Sequence, residues 1–143
     1  MKRILFYSSV RDLSSFVSQR FYVIDILLLK ELGYDVIITN KIIDFIRFYR
    51  YDLSFLYFYR KSLFSAILSR LFCKKGYMTG GIDALDRNLV SEKEYIFQKI
   101  MFKLCYLFAD KCVVVSNSDL KNISGLYKKK AFFLISCNKY RKI

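Results

Sequence analysis

The amino-acid sequence predicts an α/β fold: a parallel, doubly wound sheet with helices on both faces. Three observations lead there. Short apolar or β-branched runs alternate with longer segments of helical periodicity along the chain. The run Cys112-Val113-Val114-Val115 is apolar throughout, which suits a strand covered on both faces, as parallel strands are. Connections are too short for a second domain, and right-handed crossovers restrict how the chain can wind.

The elements follow in order. Arg3 to Ser8 reads as a buried first strand, and a Ser-rich loop with Arg11 and Asp12 follows it. Ser18 can accept from free N–H groups of the next helix, Gln19 to Leu32, as its N-cap. That helix groups Phe21, Ile24, Leu28 and Leu32, and Gly33 stops it at the C′ position. Tyr34 to Thr39 is the second strand. Lys41 to Arg50 reads as helix, with Ile42, Phe45, Ile46 and Tyr49 together, and the aromatic run Asp52 to Tyr59 is the third strand. Lys61 to Cys73 is helical, with Leu63, Phe64, Ile67, Leu68 and Leu71 inward and Ser62, Ser65 and Ser69 on the polar side. Gly76 to Thr79 begins a fourth strand. Ser91 caps the long helix Glu92 to Ala109, whose first turn carries Glu92 and Glu94. Lys111 to Ser116 is the fifth strand, Asn117 to Leu126 a short helix, and Ala131 to Ser136 a sixth strand. The expected strand order is 3-2-1-4-5-6, with its switch point between the first and fourth strands.

Composition bounds the function. The 143 residues are one domain's worth of chain, and 55% hydrophobic content excludes general disorder. A net charge of +13 attracts anionic partners: nucleic acid, anionic lipid or nucleotide diphosphates. The excess has a second reading, since Lys, Ile, Phe, Tyr and Asn abound while Pro and Trp are absent, as an AT-rich coding sequence produces. There is no His, and Cys73, Cys105, Cys112 and Cys137 form no C-x-x-C pair, so neither a metal site nor His-based catalysis is expected. The four thiols read as reduced core residues of a cytoplasmic chain. The start Met1-Lys2-Arg3 turns polar by Ser8, too soon for a signal peptide. Asp25, Arg47, Arg60 and Arg70 interrupt every apolar run short of the roughly 18 residues a membrane span needs.

The chain is organised around Gly76-Tyr77-Met78-Thr79-Gly80-Gly81-Ile82-Asp83-Ala84-Leu85-Asp86. A short β run ends in a glycine pair that can take positive φ and admit a close neighbour, and two carboxylates follow. A plain tight turn with solvated aspartates fits the same spacing. Thr79-Gly80-Gly81-Ile82-Asp83 resembles the loop in the N-terminal half of GT-B glycosyltransferases of the group-1, family-4 type. Ala109-Asp110-Lys111-Cys112-Val113-Val114-Val115-Ser116 resembles that family's strand entered through Ala-Asp and left through Ser. The resemblance runs from Arg3 to about Cys137 as an order of elements.

The resemblance implies a Rossmann-like domain over 1–136, one half of a GT-B fold, with 137–143 opening a linker to an absent second domain. It implies an acceptor-side half that works with a nucleotide-sugar donor and a glycan or lipid-linked acceptor. The donor is expected only with a second, donor-binding Rossmann-like domain or chain, so no cofactor is expected on this chain. The enzyme would be truncated or split, and the isolated chain inactive. Gly80, Gly81 and Asp83, and more weakly Ser116, carry over as cleft-lining residues, with Asp83 the catalytic candidate. The Ser8 loop adds Ser9 and Arg11, which can meet a phosphate or a sugar hydroxyl. Lys61, Arg70, Lys74, Lys75, Lys99 and Lys103 are expected at an anionic membrane surface, placing the enzyme peripherally on the inner face. The other reading is a non-catalytic basic Rossmann-like module that binds an acidic partner or membrane. Neither G-x-G-x-x-G nor a Walker pattern is present, and nucleic acid rests on charge alone.

Overall fold

The structure, a computed structural model, describes residues 2–80, 90–114 and 131–133. Its strands are β1 (Arg3–Ser8), β2 (Asp35–Thr39), β3 (Leu53–Tyr57), β4 (Lys75–Thr79), β5 (Lys111–Val114) and β6 (Ala131–Phe133). All pair in parallel, in the order β2-β1-β3-β4-β5-β6. This is the doubly wound, Rossmann-like sheet that the alternation of elements predicts. Helices α1 (Ser15–Ser18) and α2 (Arg20–Glu31) cover one face, around Phe6, Phe16, Tyr22, Ile26 and Tyr57. Helices α3 (Leu63–Leu71) and α4 (Glu92–Phe108) cover the other, around Leu5, Tyr7, Leu56, Ala66, Met78, Phe102 and Cys105.

The strand order corrects the expected 3-2-1-4-5-6. The third strand pairs with β1, not β2, from Ile4↔Leu53 to Ser8↔Tyr57. Two bonds lock that register at its start: Asp52 N–H donates to the Arg3 carbonyl at 2.9 Å, and Arg3 N–H to Asp52 Oδ2 at 2.7 Å. Residues 41–50 do not form the expected helix. They make two 3-10 turns, Ile42–Ile46 and Phe48–Arg50, and bury Phe45 edge-on against Tyr7 at 5.2 Å. That contact carries the chain back across β1, so β3 becomes central and β2 an edge strand. The switch point therefore lies between β1 and β3, where α/β sheets open a crevice at the carboxyl ends of their strands.

Helix faces are corrected too. Ser18 ends α1, and Gln19 stands at the N-cap of α2 without a side-chain bond. Helix α2 buries Tyr22 and Ile26, while Phe21 and Leu32 stay exposed. Gly33 ends it with φ +81°, and Tyr34 N–H closes the turn on the Leu29 carbonyl at 3.1 Å. Helix α3 splits the expected inward set: Leu63 and Leu68 pack partly buried against the core, whereas Phe64 and Leu71 face solvent, and the expected polar side, Ser62, Ser65 and Ser69, is buried with Ala66. Beneath it lie Ser54, whose hydroxyl meets that of Ser69 at 2.8 Å, and Gly76. A Cβ on Gly76 would stand 3.8 Å from the Ser69 Cβ, so helix and sheet approach closely there and small residues fit, while Leu63 and Leu68 reach the core beside them. Ser91 does cap α4, accepting from Glu94 N–H at 3.3 Å. Of the thiols, Cys105 and Cys112 are buried, but Cys73 is exposed and is no core residue. Cys137, the expected helix 117–126 and residues 137–143 lie outside the described residues.

Candidate functional site

The crevice at the switch point is built from the loop after β1 and the corner after β3. Ser8, the last residue of β1, shares a hydrogen bond of 2.6 Å with the Tyr22 hydroxyl, which ties strand to helix. Ser9 comes next, and its hydroxyl oxygen is shielded from solvent without a protein partner. Asn40, beyond the end of β2, donates through Nδ2 to the carbonyls of Val10 at 3.2 Å and Arg11 at 3.3 Å. Asp12 accepts from Ser14 N–H at 3.0 Å, which holds its carboxyl below the usual carboxylate range. These bonds fix the loop backbone and leave the Arg11 side chain exposed.

The corner after β3 is held from several sides. Phe58 takes φ +70°, a costly conformation for a bulky residue. Its N–H donates to the Thr79 carbonyl at 2.8 Å, and its carbonyl accepts from Ser62 N–H at 3.0 Å. The Ser62 hydroxyl donates to the Tyr57 carbonyl. The Tyr59 hydroxyl reaches over β4 to the Val113 carbonyl at 2.5 Å. The Phe58 ring meets Phe21, Tyr22 and Tyr57 edge to face. One side of the switch point is thus a cluster of aromatic rings.

Gly80 follows β4 with φ +130°. A Cβ there would sit 3.0 Å from the Phe58 nitrogen and 3.1 Å from its Cα. The close neighbour that requires a glycine is therefore the backbone of Phe58. Gly80 and Ser9 do not meet directly, because the end of β3 stands between β1 and β4. Gly81, Asp83 and Ser116 lie outside the described residues. The Ala109-Asp110 entry to β5 has a structural role: Asp110 accepts from Gly76 N–H at 2.8 Å and donates its own N–H to the Gly76 carbonyl at 2.8 Å.

The basic residues expected at one surface are spread over two. Lys61 is exposed beside the start of α3, and Lys99 and Lys103 are exposed on α4. Arg70 donates through Nη1 to the Leu107 carbonyl at 3.1 Å, at the end of α4. Lys74 lies over the Tyr51 ring, 5.9 Å from its centroid, and Lys75 opens β4, so both belong to the amino edge of the sheet. There Asp52 is held low by the Arg3 N–H and then by the charges of Arg3, Lys74 and Lys2.

Sequence reasoning passed over Asp25. The Tyr57 hydroxyl donates to its Oδ2, beneath the aromatic cluster. Burial pushes the Asp25 carboxyl up, and the Tyr57 hydroxyl partly offsets this. The signal was a carboxylate inside an otherwise apolar helical run, adjacent to the Tyr22–Ile26 stripe.

No protein-family model and no curated protein matches the sequence. A solved structure does. The chain is similar to Anabaena Alr3699/HepE, crystallised in complex with UDP. The two superpose with a TM-score of 0.55 at 14% identity, over 93% of this chain. The chain spans 43% of the length of that protein, and at this identity the likeness speaks for the fold alone.

Proposed function

We propose that these residues form the acceptor-side half of a glycosyltransferase of GT-B architecture. It would move a sugar from a nucleotide-sugar donor to a glycan or lipid-linked acceptor. The carrying observation is the superposition of 93% of the chain on less than half of a protein that binds UDP. The crevice between β1 and β3 sits where open α/β sheets take ligands, which agrees with that reading. In it, Arg11 and Ser9 meet a phosphate or hydroxyl of the acceptor. Phe58 and Gly80 form its wall; Gly81, Asp83 and Ser116 lie outside the described residues and enter this reading through the family resemblance alone. In the reaction, the bond from the anomeric carbon to the bridging phosphate oxygen breaks and a bond from that carbon to the acceptor oxygen forms. The acceptor proton passes to a base, for which Asp83 is the candidate, and the nucleoside diphosphate leaves.

A second Rossmann-like domain or chain supplies the donor site in this reading. Half a cleft cannot hold both substrates in one reactive geometry. The purified 143-residue chain is therefore expected neither to bind UDP in calorimetry nor to turn over a nucleotide sugar beyond the buffer rate. The direct test is incorporation of labelled sugar into glycan and lipid fractions by extracts of source cells with the coding region deleted and restored. Deletion should abolish one incorporated product, and wild type should restore it. Arg11→Ala should restore about a tenth or less, as loss of a charge-assisted contact implies. Unchanged incorporation on deletion sinks the reading. It would favour the non-catalytic alternative, a basic module on an acidic partner, for which the net charge of +13 speaks.

A further inference from the structure

Helices α3 and α4 run side by side in the same direction. Arg60 pairs with Glu94 at 3.1 Å near their starts, and Arg70 reaches the Leu107 carbonyl near their ends. Their outward sides are apolar: Phe64 is 55% exposed, Leu71 70%, Phe97 43%, Ile100 51%, Leu104 36% and Leu107 58%. Phe97, Ile100, Leu104 and Leu107 follow a three-four-three spacing, which lines them along a single stripe of α4. On α3 the exposure of Phe64 and Leu71 follows from the serines that occupy the side nearest the sheet. Lys61, Lys93, Lys99 and Lys103 are exposed on or beside the same helices. Helix α3 contains no acidic residue, and of the two on α4 Glu94 is already paired with Arg60.

We propose that this α3–α4 surface docks on an anionic lipid bilayer, with both helices lying in the interface plane. Apolar side chains grouped on one exposed surface mark an interaction site in a water-soluble domain. The charge around them selects the partner. A second copy would set lysines against lysines, whereas lipid phosphates neutralise them. Phe, Ile and Leu enter the headgroup boundary while lysine stems reach back to the phosphates. The surface differs from the one expected from sequence. Arg70 is engaged by α4, Lys74 and Lys75 belong to the amino edge, and the apolar contact residues are new. Sugar transfer is not a premise of the proposal.

Among the described residues no helix is long and apolar enough to cross a membrane, so attachment would be peripheral. The test is co-sedimentation of the 143-residue chain with vesicles of phosphatidylcholine alone, or mixed equally with phosphatidylglycerol, at low and high salt. Binding to the anionic vesicles is expected, with loss at high salt. Leu71→Gln with Leu107→Gln should weaken it about tenfold or more through lost apolar burial, with circular dichroism unchanged. Lys99→Gln and Lys103→Gln should each weaken it about fivefold. Val17→Gln with Leu32→Gln, equally exposed on the α1–α2 side, should leave it intact. The proposal is overturned if anionic vesicles do not bind at low salt, or if the control pair weakens binding as much. It is also overturned if ultracentrifugation finds a dimer that the Leu71 and Leu107 changes dissolve.

Discussion

Helices α3 and α4 lie side by side on one face of the sheet, yet they meet it with opposite chemistry. Helix α4 inserts Phe102, Cys105 and Tyr106, while α3 fully buries only Ser65, Ala66 and Ser69, keeps Leu63 and Leu68 partly buried and turns Phe64 and Leu71 to solvent. The strands below explain the difference. Under α3 lie the small residues Ser54 and Gly76; Ser54 meets Ser69, and Ser69 donates to the Ser65 carbonyl at 2.9 Å, while the Ser65 hydroxyl is buried without a partner. Under α4 there is room for rings: Phe102 packs on Tyr59 at 5.0 Å, and the Cys105 thiol donates to the Tyr59 carbonyl. Which side a helix buries is thus set by the volume beneath it and by available partners, and hydropathy follows only where space permits.

The largest expected effect breaks the α4 side. Phe102→Ala removes a ring that is 6% exposed and should cost about 3–5 kcal/mol in denaturant unfolding. The α3 side breaks the other way. Ala66→Leu, more hydrophobic but without room, should cost about 1–3 kcal/mol, whereas Leu71→Gln should stay within about 0.5 kcal/mol. If Ala66→Leu is neutral and Leu71→Gln is costly, the close seating of α3 on its small residues is wrong.

A third change probes the corner that leads from β3 into α3. Gly80→Val places a branched side chain at φ +130° against the Phe58 backbone, and roughly 1–2 kcal/mol or more is expected. Gly33→Ala sharpens this. Its φ is +81° but nothing lies within 4 Å of the new Cβ, so it should carry only the conformational strain and cost less. Equal costs would mean that contact with Phe58 is relieved by small shifts.

Much of this was legible in the sequence. Strands β1 to β5 stand close to their expected places because apolar and β-branched runs leave few other options, and Gly33 and Ser91 act as the expected stop and cap. The strand order was not legible. Residues 41–50 have helical apolar spacing but form 3-10 turns, and only the tertiary contact of Phe45 with Tyr7 shows where the chain returns. The inward side of α3 was hidden for the reason above. At the candidate site, the positive φ of Gly80 could be expected from a glycine pair after a β run. That Phe58 is its neighbour depends on strand order, and no local pattern encodes that.

Helix α2, on the opposite face, extends the same rule to a charged group and yields the smallest effect. Asp25 is turned toward the sheet because the Tyr57 hydroxyl is there to donate to it. Burial raises its pKa above the ordinary carboxylate value, with the Tyr57 bond acting in the opposite direction. The folded state therefore binds this proton more tightly than the unfolded chain. Stability from Asp25 is fully present below the unfolded pKa. It is lost as pH rises from there through the raised folded pKa, and is constant above it. Asp25→Asn keeps an acceptor for Tyr57 and has no charge to bury, so it escapes that loss. The melting temperature of Asp25→Asn minus that of wild type should rise between about pH 3 and neutrality and then level off. Asp12 and Asp52, held low by hydrogen bonds, change stability with the opposite sign, but both proteins carry them and the difference cancels them. A difference that is flat with pH, measured by circular dichroism melts, would mean that Asp25 feels no net burial and that α2 obeys another rule than α3.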